Sequence, residues 1–358
     1  MSKDSIGKEE EGQVVAGLDV GDRFSELHVL DRAGETVETG KIASTPEGLR
    51  QRFGRVARMR VVLEVGTHSL WMSHVLEELG HEVVVANPWQ LRLIAQSSRK
   101  NDRADAETLA RVGRLDVGLL HPVRHRRQET QAALELIKAR GLLVGMRTKL
   151  VNHVRAVVKS LGGRLPTCYP EAFVKVAAPA LAAELREAVG PLLEEVASLN
   201  ARIQGYDRKV EELSAERYPQ TGALRQVPGV GPLTALAYVL VVEDPTRFQR
   251  SRDVGAYLGL VPRQRQSGQR DLQLGITHGG DRMLRSLLVQ CAHYVLGYRG
   301  PESDLRRWGL ERMATGGPQR KKKVVVAVAR KLAVLLHRLW VTGEVYTPLR
   351  EEAPMAAA

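Results

Sequence analysis

The alternation of strand-like and helix-like segments in the first third of the chain is the feature that most constrains its fold. Three strand patterns come first, at 13–20, 24–30 and 35–43, with a turn at 31–34. Helix and strand patterns then alternate, at 46–57 (helix), 60–65 (strand), 68–79 (helix), 81–86 (strand) and 102–115 (helix). Pro88 can open one more helix. This order predicts a mixed α/β sheet covered by helices.

The strand and helix order is that of the ribonuclease-H architecture, whereas the rest of the chain is predicted to be mainly helical. At 358 residues the chain has room for two to three domains. We expect an α/β ribonuclease-H-like domain at 13–120, a helical coiled-coil arm at 121–220 and a mainly α C-terminal domain at 221–343. Residues 1–12 and 344–358 are expected to be disordered tails.

A heptad pattern marks the arm. Apolar residues from Leu192 to Leu213 recur at alternating steps of four and three, which is typical of a coiled-coil seam. The same seam would suit one helix of an intramolecular hairpin that packs on the basic, helix-prone residues 125–160. Both interpretations remain open at this point.

Charge is distributed unevenly along the chain. The formal net charge of +12 predicts a polyanionic partner, either nucleic acid or an acidic membrane. Residues 247–343 carry a net +13 and residues 124–164 a net +8, which leaves the remainder at −9. Aromatic residues make up 4% of the chain, which disfavours stacking platforms for single-stranded bases.

Several classes of protein are disfavoured. Cys168 and Cys291 lie far apart without zinc-ligand spacing, which argues against a zinc module and against a disulfide framework. The polar N-terminal segment lacks a signal-peptide pattern, and the apolar runs are too short to span a bilayer. We therefore expect a soluble cytoplasmic protein with no membrane partner.

Four carboxylates are candidates for a metal site. Asp19 and Glu64 end predicted strands, while Asp102 and Asp105 share one side of a helix. If the first and fourth strands are neighbours, all four meet at one sheet edge, where their mutual repulsion calls for divalent cations. We expect two Mg²⁺ ions, with Mn²⁺ as an acceptable substitute, positioned to act on a phosphoryl group. Singly, each acid also fits an ordinary structural role.

Three further segments carry candidate nucleic-acid contacts. Ser267 and Gly268 lie in a predicted loop with Arg263, Arg265 and Arg270, whose guanidinium groups suit a phosphodiester, although a Ser-Gly pair alone is typical of a turn. Gly229 and Gly231 belong to a Pro-Gly-Val-Gly turn before a helix, a pattern shared by helix-hairpin-helix elements and by plain helix caps. Lys321, Lys322 and Lys323 precede an amphipathic helix.

These motifs together resemble the IS-one-ten group of insertion-sequence transposases. GLDVG with Asp19, LEVGTHS with Glu64 and KNDRADAETLA with Asp102 and Asp105 are similar to its N-terminal, RuvC-like DEDD domain. LRQVPGVGPLTA and GAYLGLVPRQRQSG are similar to its C-terminal transposase domain. The chain departs from the group's pattern at Asp22 and Arg23, where a Lys-containing segment is expected.

The resemblance implies a recombinase that acts on donor and target DNA. It implies Mg²⁺ at the four acids, Ser267 as the nucleophile of a covalent 5′-phosphoserine intermediate, and a noncoding bridge RNA as guide. It further implies a dimerising coiled coil, a tetramer with composite active sites, and a bacterial protein that acts at the nucleoid.

Three rival functions stay open. A RuvC-like junction endonuclease would use metal-activated water and would not need Ser267. An actin-like or sugar-kinase-type ATPase would share the N-terminal hairpin, but it requires later phosphate and adenosine loops that we do not find. A noncatalytic DNA-bridging protein would bind DNA without transferring strands.

Overall fold

The chain is divided into two compact units in the computed structural model. The structure describes residues 13–87, 101–267 and 270–349. The boundary between the units lies after Arg127, since the segment at 117–123 still pairs with the first unit through the Asn87 N–H to the Leu120 carbonyl and the Val123 N–H to the Val85 carbonyl. The predicted helix after Pro88 and the predicted tail at 1–12 lie outside the described residues.

The first unit is built on a five-stranded mixed sheet. The strands are β1 (Val15–Asp19), β2 (Phe24–Leu30), β3 (Thr36–Ala43), β4 (Arg60–Glu64) and β5 (Glu82–Ala86), in the order β3-β2-β1-β4-β5. β1, β2 and β3 form an antiparallel meander, whereas β4 runs parallel to both β1 and β5. The condition set by the sequence is therefore confirmed, because the first and fourth strands are neighbours.

Helices cover both faces of this sheet. α1 (Pro46–Phe53) and α2 (Ser69–Glu78) pack on the face that carries Ala16 and Leu18. α3 (Asp102–Leu115) packs on the opposite face, with Leu109 against Val15 and Val62. Since side chains alternate along a strand, the α3 face also carries positions 17 and 19 of β1.

The arm residues form an intramolecular helical hairpin within the second unit. α4 (Gln128–Ser160) packs along α6 (Ala183–Glu216), with the short α5 (Phe173–Ala180) beside them. The heptad positions Val196, Leu199 and Ile203 are buried in this packing. Of the two interpretations of the seam, the structure thus supports the hairpin, and a coiled coil between chains stays a prediction.

The rest of the second unit is mainly helical. Its helices are α7 (Thr221–Arg225), α8 (Pro232–Val242), α9 (Asp253–Tyr257), α10 (Arg282–Leu296), α11 (Asp304–Ala314) and α12 (Pro318–Thr342). α8 is buried along nearly its whole length and forms the centre of a core shared with α10 and α12. The predicted division of this unit at 220 stays a prediction. Among the described residues, no helix is long and apolar enough to cross a membrane.

Three local expectations are corrected. The predicted loop around Ser267 is a two-stranded hairpin of β6 (Pro262–Ser267) and β7 (Arg270–Ile276). The three lysines at 321–323 lie inside α12 rather than before it. Residues 344–349, expected in a disordered tail, pack against the unit because the Tyr346 N–H donates to the Gln226 side chain (2.9 Å) and the Asp304 N–H donates to the Pro348 carbonyl (2.9 Å).

Candidate active site and nucleic-acid contacts

Two of the four predicted acids are placed side by side by the strand order. Asp19 is the last residue of β1 and Glu64 is the last residue of β4, and these parallel strands pair with Leu18 beside Leu63. Parallel neighbours end at the same edge of a sheet, so both carboxylates reach that edge together. Both residues also lie on the face covered by α3, since they share the alternation of Val15 and Val62.

The N-terminus of α3 brings the other two acids to this edge. The Asn101 side chain caps the helix by accepting a hydrogen bond from the Ala104 N–H (2.8 Å), and Asp102 and Asp105 occupy the first turn. Gly17 lets the helix approach closely, because a Cβ at this position would lie 2.0 Å from the Ala106 carbonyl oxygen. Gly17, the first glycine of the GLDVG motif, thus allows the α3 backbone to pack directly on β1.

The carboxylates repel one another. The pKa of Asp19 rises from 3.8 to about 6, first because the group is partly buried and then because of the negative charges of Asp102, Asp105 and Glu64. Asp105 itself is 7% exposed. A cluster of this kind favours a bound cation, since a positive charge would offset both burial and repulsion.

A fifth acid, Glu26, joins the cluster and was missed by the sequence analysis. It lies directly opposite Asp19 in the β1–β2 pair, and its charge also raises the pKa of Asp19. Its side chain forms an ion pair with Lys41 (3.0 Å). The short connection at 20–23 between β1 and β2 is the signal that could have found it, because a short turn there sets residue 26 opposite residue 19.

The donor set suits a hard divalent cation in charge and chemistry. Carboxylate oxygens are the ligands that Mg²⁺ prefers in proteins. Within the described part of the chain, however, no group of three or more His, Cys, Asp or Glu side chains is arranged closely enough to hold a metal ion. The four acids converge, and their side chains would have to move towards one another around an ion.

Ser267 lies at the tip of the β6–β7 hairpin in the second unit. It is the last residue of β6 and pairs with Arg270, the first residue of β7. Arg263 is exposed on β6. The side chains of Ser267, Arg265 and Arg270 lie outside the described part of the structure, so their predicted roles stay predictions.

The base of this hairpin is fixed by buried Arg285. Its guanidinium donates hydrogen bonds to the carbonyls of Leu258 (3.0 Å) and Gly279 (2.5 Å), which flank the two strands. Burial lowers the pKa of Arg285 below its usual value. Gly259 and Gly280 permit the close packing, since each has positive φ and a Cβ on either would clash with backbone within 2.5 Å. Arg285 could not be singled out from the sequence, because its position in an amphipathic helix looks like that of any surface arginine.

The remaining predicted contacts are exposed in the second unit. Gly229 has a φ of +87° and leaves no room for a Cβ beside Tyr294, while Gly231 is the N-cap of α8. These facts account for the glycines structurally and leave their predicted phosphate contact a prediction. Lys321, Lys322 and Lys323 are exposed near the start of α12.

Two family models match the chain. The model of the DEDD transposase domain of the IS110 group matches residues 16–162, and the model described as transposase, IS116/IS110/IS902 family, matches residues 222–306. The first match contains all four predicted acids, and the second contains Ser267 and Arg285. Taken with the fold, the two matches define a DNA transposase.

Three transposases are similar to this chain over almost its whole length. The chain is 31% identical to the putative transposase y4pF/y4sB of Sinorhizobium fredii, over 97% of this chain and 89% of that protein. It is 27% identical to the transposase for insertion sequence element IS1328 of Yersinia enterocolitica, over 92% of this chain and 98% of that one. It is also 27% identical to the transposase for IS1111A of Coxiella burnetii, over 93% and 91%. The chain belongs to the IS116/IS110/IS902 family of insertion-sequence transposases.

Proposed function

We propose that this transposase cuts and rejoins DNA through a covalent Ser267–phosphate bond, with Asp19, Glu64, Asp102 and Asp105 holding Mg²⁺. The first unit is assigned to the ribonuclease-H-like class, of the RuvC-like type, because its strand order and connections agree with that architecture. The observation that carries the proposal is the adjacency of β1 and β4, which sets Asp19 beside Glu64 under the first turn of α3.

The acids have distinct tasks in this proposal. Asp19 is the central ligand, since the charges of the other three acids all act on it. Glu64 holds the ion from the neighbouring strand, and Asp102 and Asp105 hold it from the helix. Bound Mg²⁺ would stabilise negative charge on a phosphoryl group. Mn²⁺, which takes the same ligands, would substitute for it.

The serine step exchanges one phosphodiester for another. The Ser267 oxygen forms a bond to phosphorus while the bond from phosphorus to the 3′ oxygen breaks, and the serine proton ends on the released 3′ hydroxyl. Arg263, Arg265 and Arg270 bind the phosphoryl oxygens and stabilise their charge in the transition state. The exchange conserves bond type, so the DNA can later be rejoined without a high-energy cofactor.

Further parts of the proposal rest on family membership. The DNA substrates are a donor and a target, a noncoding guide RNA selects them at the nucleoid, and the active form is a homo-oligomer, a dimer through the arm or a tetramer. The basic windows at 124–164 and 247–343 support polynucleotide binding. Copurification of RNA with the full-length protein, followed by sequencing, tests the guide. Light scattering of the purified complex tests the assembly.

The serine assignment is tested by trapping the adduct. Full-length protein is incubated with end-labelled DNA from the element's ends, with its RNA and Mg²⁺, and denaturing gels are used to count protein-linked label. Ser267→Ala should abolish the adduct and leave DNA binding intact. Ser160→Ala, an exposed serine at the end of α4, is the matched control and should behave as wild type. An adduct that persists in Ser267→Ala refutes the serine.

The same assay separates the rival enzyme. If Ser267→Ala loses the adduct but still cleaves DNA at full rate, the enzyme hydrolyses DNA with water, as a junction endonuclease would. The metal requirement is tested by chelation and by Asp19→Asn, each of which should stop cleavage. Cleavage at an unchanged rate in chelator would overturn the metal site.

A further inference from the structure

A large basic cavity lies in the second unit, away from the serine hairpin in sequence. It is an open groove lined by α11, α12, the segment at 344–349 and Arg252, and its volume is about 1490 Å³. Leu305 and Val334 contribute an apolar part of the wall, and Asp304 and Glu344 are its two acidic residues. We call it the α11–α12 groove.

Six cations of the groove have no carboxylate partner within the described part of the chain. Glu344 pairs with a seventh cation, Arg338, and with none of the six. The six are Arg252, Arg312, Arg320, Lys323, Arg330 and Lys331. Surface cations on helices are commonly balanced by acids one turn away. α12 offers no such balance, because none of its 25 residues is Asp or Glu.

The position of the cations along α12 is itself unfavourable. Arg320 and the three lysines at 321–323 fall in the first two turns, where the helix dipole is positive and repels cations. They also repel one another. Of these four cations, Arg320 and Lys323 line the groove, so an anion there would meet both side chains and the positive end of the helix dipole.

Trp308 of α11 holds two of the cations in place without neutralising them. The Arg312 guanidinium lies 4.7 Å from its ring centroid and the Lys331 ammonium lies 4.4 Å from it. A cation–π contact attracts a cation through the ring quadrupole and leaves the net charge unchanged. Arg320 is held as well, because its Nε donates to the Arg312 carbonyl (3.0 Å). Three of the six cations are thus held in position by contacts within the protein.

We propose that the α11–α12 groove binds a stretch of polynucleotide through its phosphodiester backbone. From Arg320 to Lys331 the cations extend about 16 Å along the helix at 1.5 Å per residue. That length matches about five phosphates of one strand, since each nucleotide advances about 3.4 Å along the duplex axis. Trp308 already contacts two cations, so contacts to the backbone, not stacking on bases, dominate. The inference rests on the proposed function only in that the protein handles nucleic acid.

The test compares two paired alanine variants of the full-length protein. Lys323→Ala with Lys331→Ala removes two groove cations, whereas Lys175→Ala with Lys209→Ala removes two exposed cations of the arm. Binding to a labelled DNA duplex and to a single-stranded RNA is measured across a salt series. Removing two phosphate contacts should make the slope of log Kobs against log salt shallower by about 1.8 on duplex DNA or about 1.4 on a single strand. At 0.1 M salt this weakens binding by about 60-fold on the duplex and about 25-fold on the single strand.

The two ligands show which nucleic acid the groove binds. If the groove pair weakens binding only to the duplex, the groove binds DNA; if it weakens binding only to RNA, the groove binds the guide. Weaker binding to both shows that the groove accepts either backbone. Trp308→Leu, checked by circular dichroism, should weaken binding although it removes no charge, because it releases Arg312 and Lys331. The proposal is overturned if the groove pair and the arm pair bind both nucleic acids with equal affinity and salt slope. Ser267→Ala binds normally in either case, so a failed groove leaves the serine mechanism standing.

Discussion

Replacing Asp19 by Asn should stabilise the first unit at neutral pH while it stops metal-dependent cleavage. Burial, followed by the charges of Asp102, Asp105 and Glu64, raises the pKa of Asp19 from 3.8 to about 6. The folded chain therefore holds this proton more tightly than the unfolded chain. Stability falls as the pH rises from about 4 to about 6 and stays lower above that, because ionised Asp19 is disfavoured in the fold.

The size of the effect follows from the pKa. One pKa unit corresponds to about 1.4 kcal/mol, so a rise from 3.8 to about 6 corresponds to about 3 kcal/mol without screening. Asp19 is partly exposed and solvent screens its neighbours, so we expect Asp19→Asn to raise the free energy of unfolding by about 1–2 kcal/mol at pH 7.5. Near pH 4 the wild type carries the proton and the difference should vanish.

The assay is urea denaturation of the full-length chain in chelator, with hydrogen exchange of peptides from β1 and β4 to isolate the first unit. Glu82→Gln is the matched control on the same sheet. Burial raises the pKa of Glu82, but hydrogen bonds from Gln13 and Arg60 outweigh it, and the pKa lies below its usual value. This variant should therefore lose stability at neutral pH. Adding Mg²⁺ should stabilise the wild type more than Asp19→Asn.

One result would refute the reasoning. If the stability difference between wild type and Asp19→Asn does not grow between pH 4 and pH 6, or if the variant is less stable than wild type at pH 7.5 in chelator, the acids do not repel one another as the structure implies. The four acids would then have no electrostatic need for a bound cation.

Two further substitutions test how the sites are positioned. Gly17→Ala should destabilise the first unit by about 1–3 kcal/mol and slow cleavage, because the added Cβ pushes against the Ala106 carbonyl and moves α3 with its acids. Urea denaturation measures the loss of stability, and a cleavage assay measures the rate. Unchanged stability and rate would contradict the close packing of α3 on β1. Arg285→Met should leave the Leu258 and Gly279 carbonyls without their donor and lower the free energy of unfolding by about 1–3 kcal/mol. Hydrogen exchange at 262–276 should become faster. Exchange at the wild-type rate would contradict a role of Arg285 in holding the hairpin.

The sequence predicted the first unit well because its strands are strongly patterned. A continuous apolar run at β1 and clear alternation at β2 predict these two strands directly, whereas the pairing of β1 with β4 was a condition that the structure confirms. Glu26 escaped because its position depends on the register of one tight turn. The β6–β7 hairpin was not predicted for a different reason. Apart from its proline, β6 contains no apolar residue to mark a strand, and the alternation of Leu272, Leu274 and Ile276 in β7 is short.

The arm shows a limit of a different kind. A heptad seam records that a helix buries one apolar stripe, and it contains nothing about whether the partner helix belongs to the same chain. Here α4 supplies that partner for Val196, Leu199 and Ile203. The packing of residues 344–349 was not predicted either, because a segment of six residues, even with Val345, Tyr346 and Leu349, is too short to show a periodic apolar face.

The two units carry clusters of opposite charge, so Mg²⁺ and polynucleotides should stabilise different units. Acids repel one another at the edge of the first sheet. In the α11–α12 groove, six cations have no carboxylate partner among the residues that the structure describes. Monovalent salt screens both and should stabilise both units in the absence of ligands. Mg²⁺ at millimolar concentration should act mainly on the acids, whereas a polynucleotide should act on the groove. Hydrogen exchange distinguishes these two effects. Mg²⁺ should slow exchange in β1 and leave exchange in α12 unchanged, because the acids lie in the first unit and the groove cations in the second.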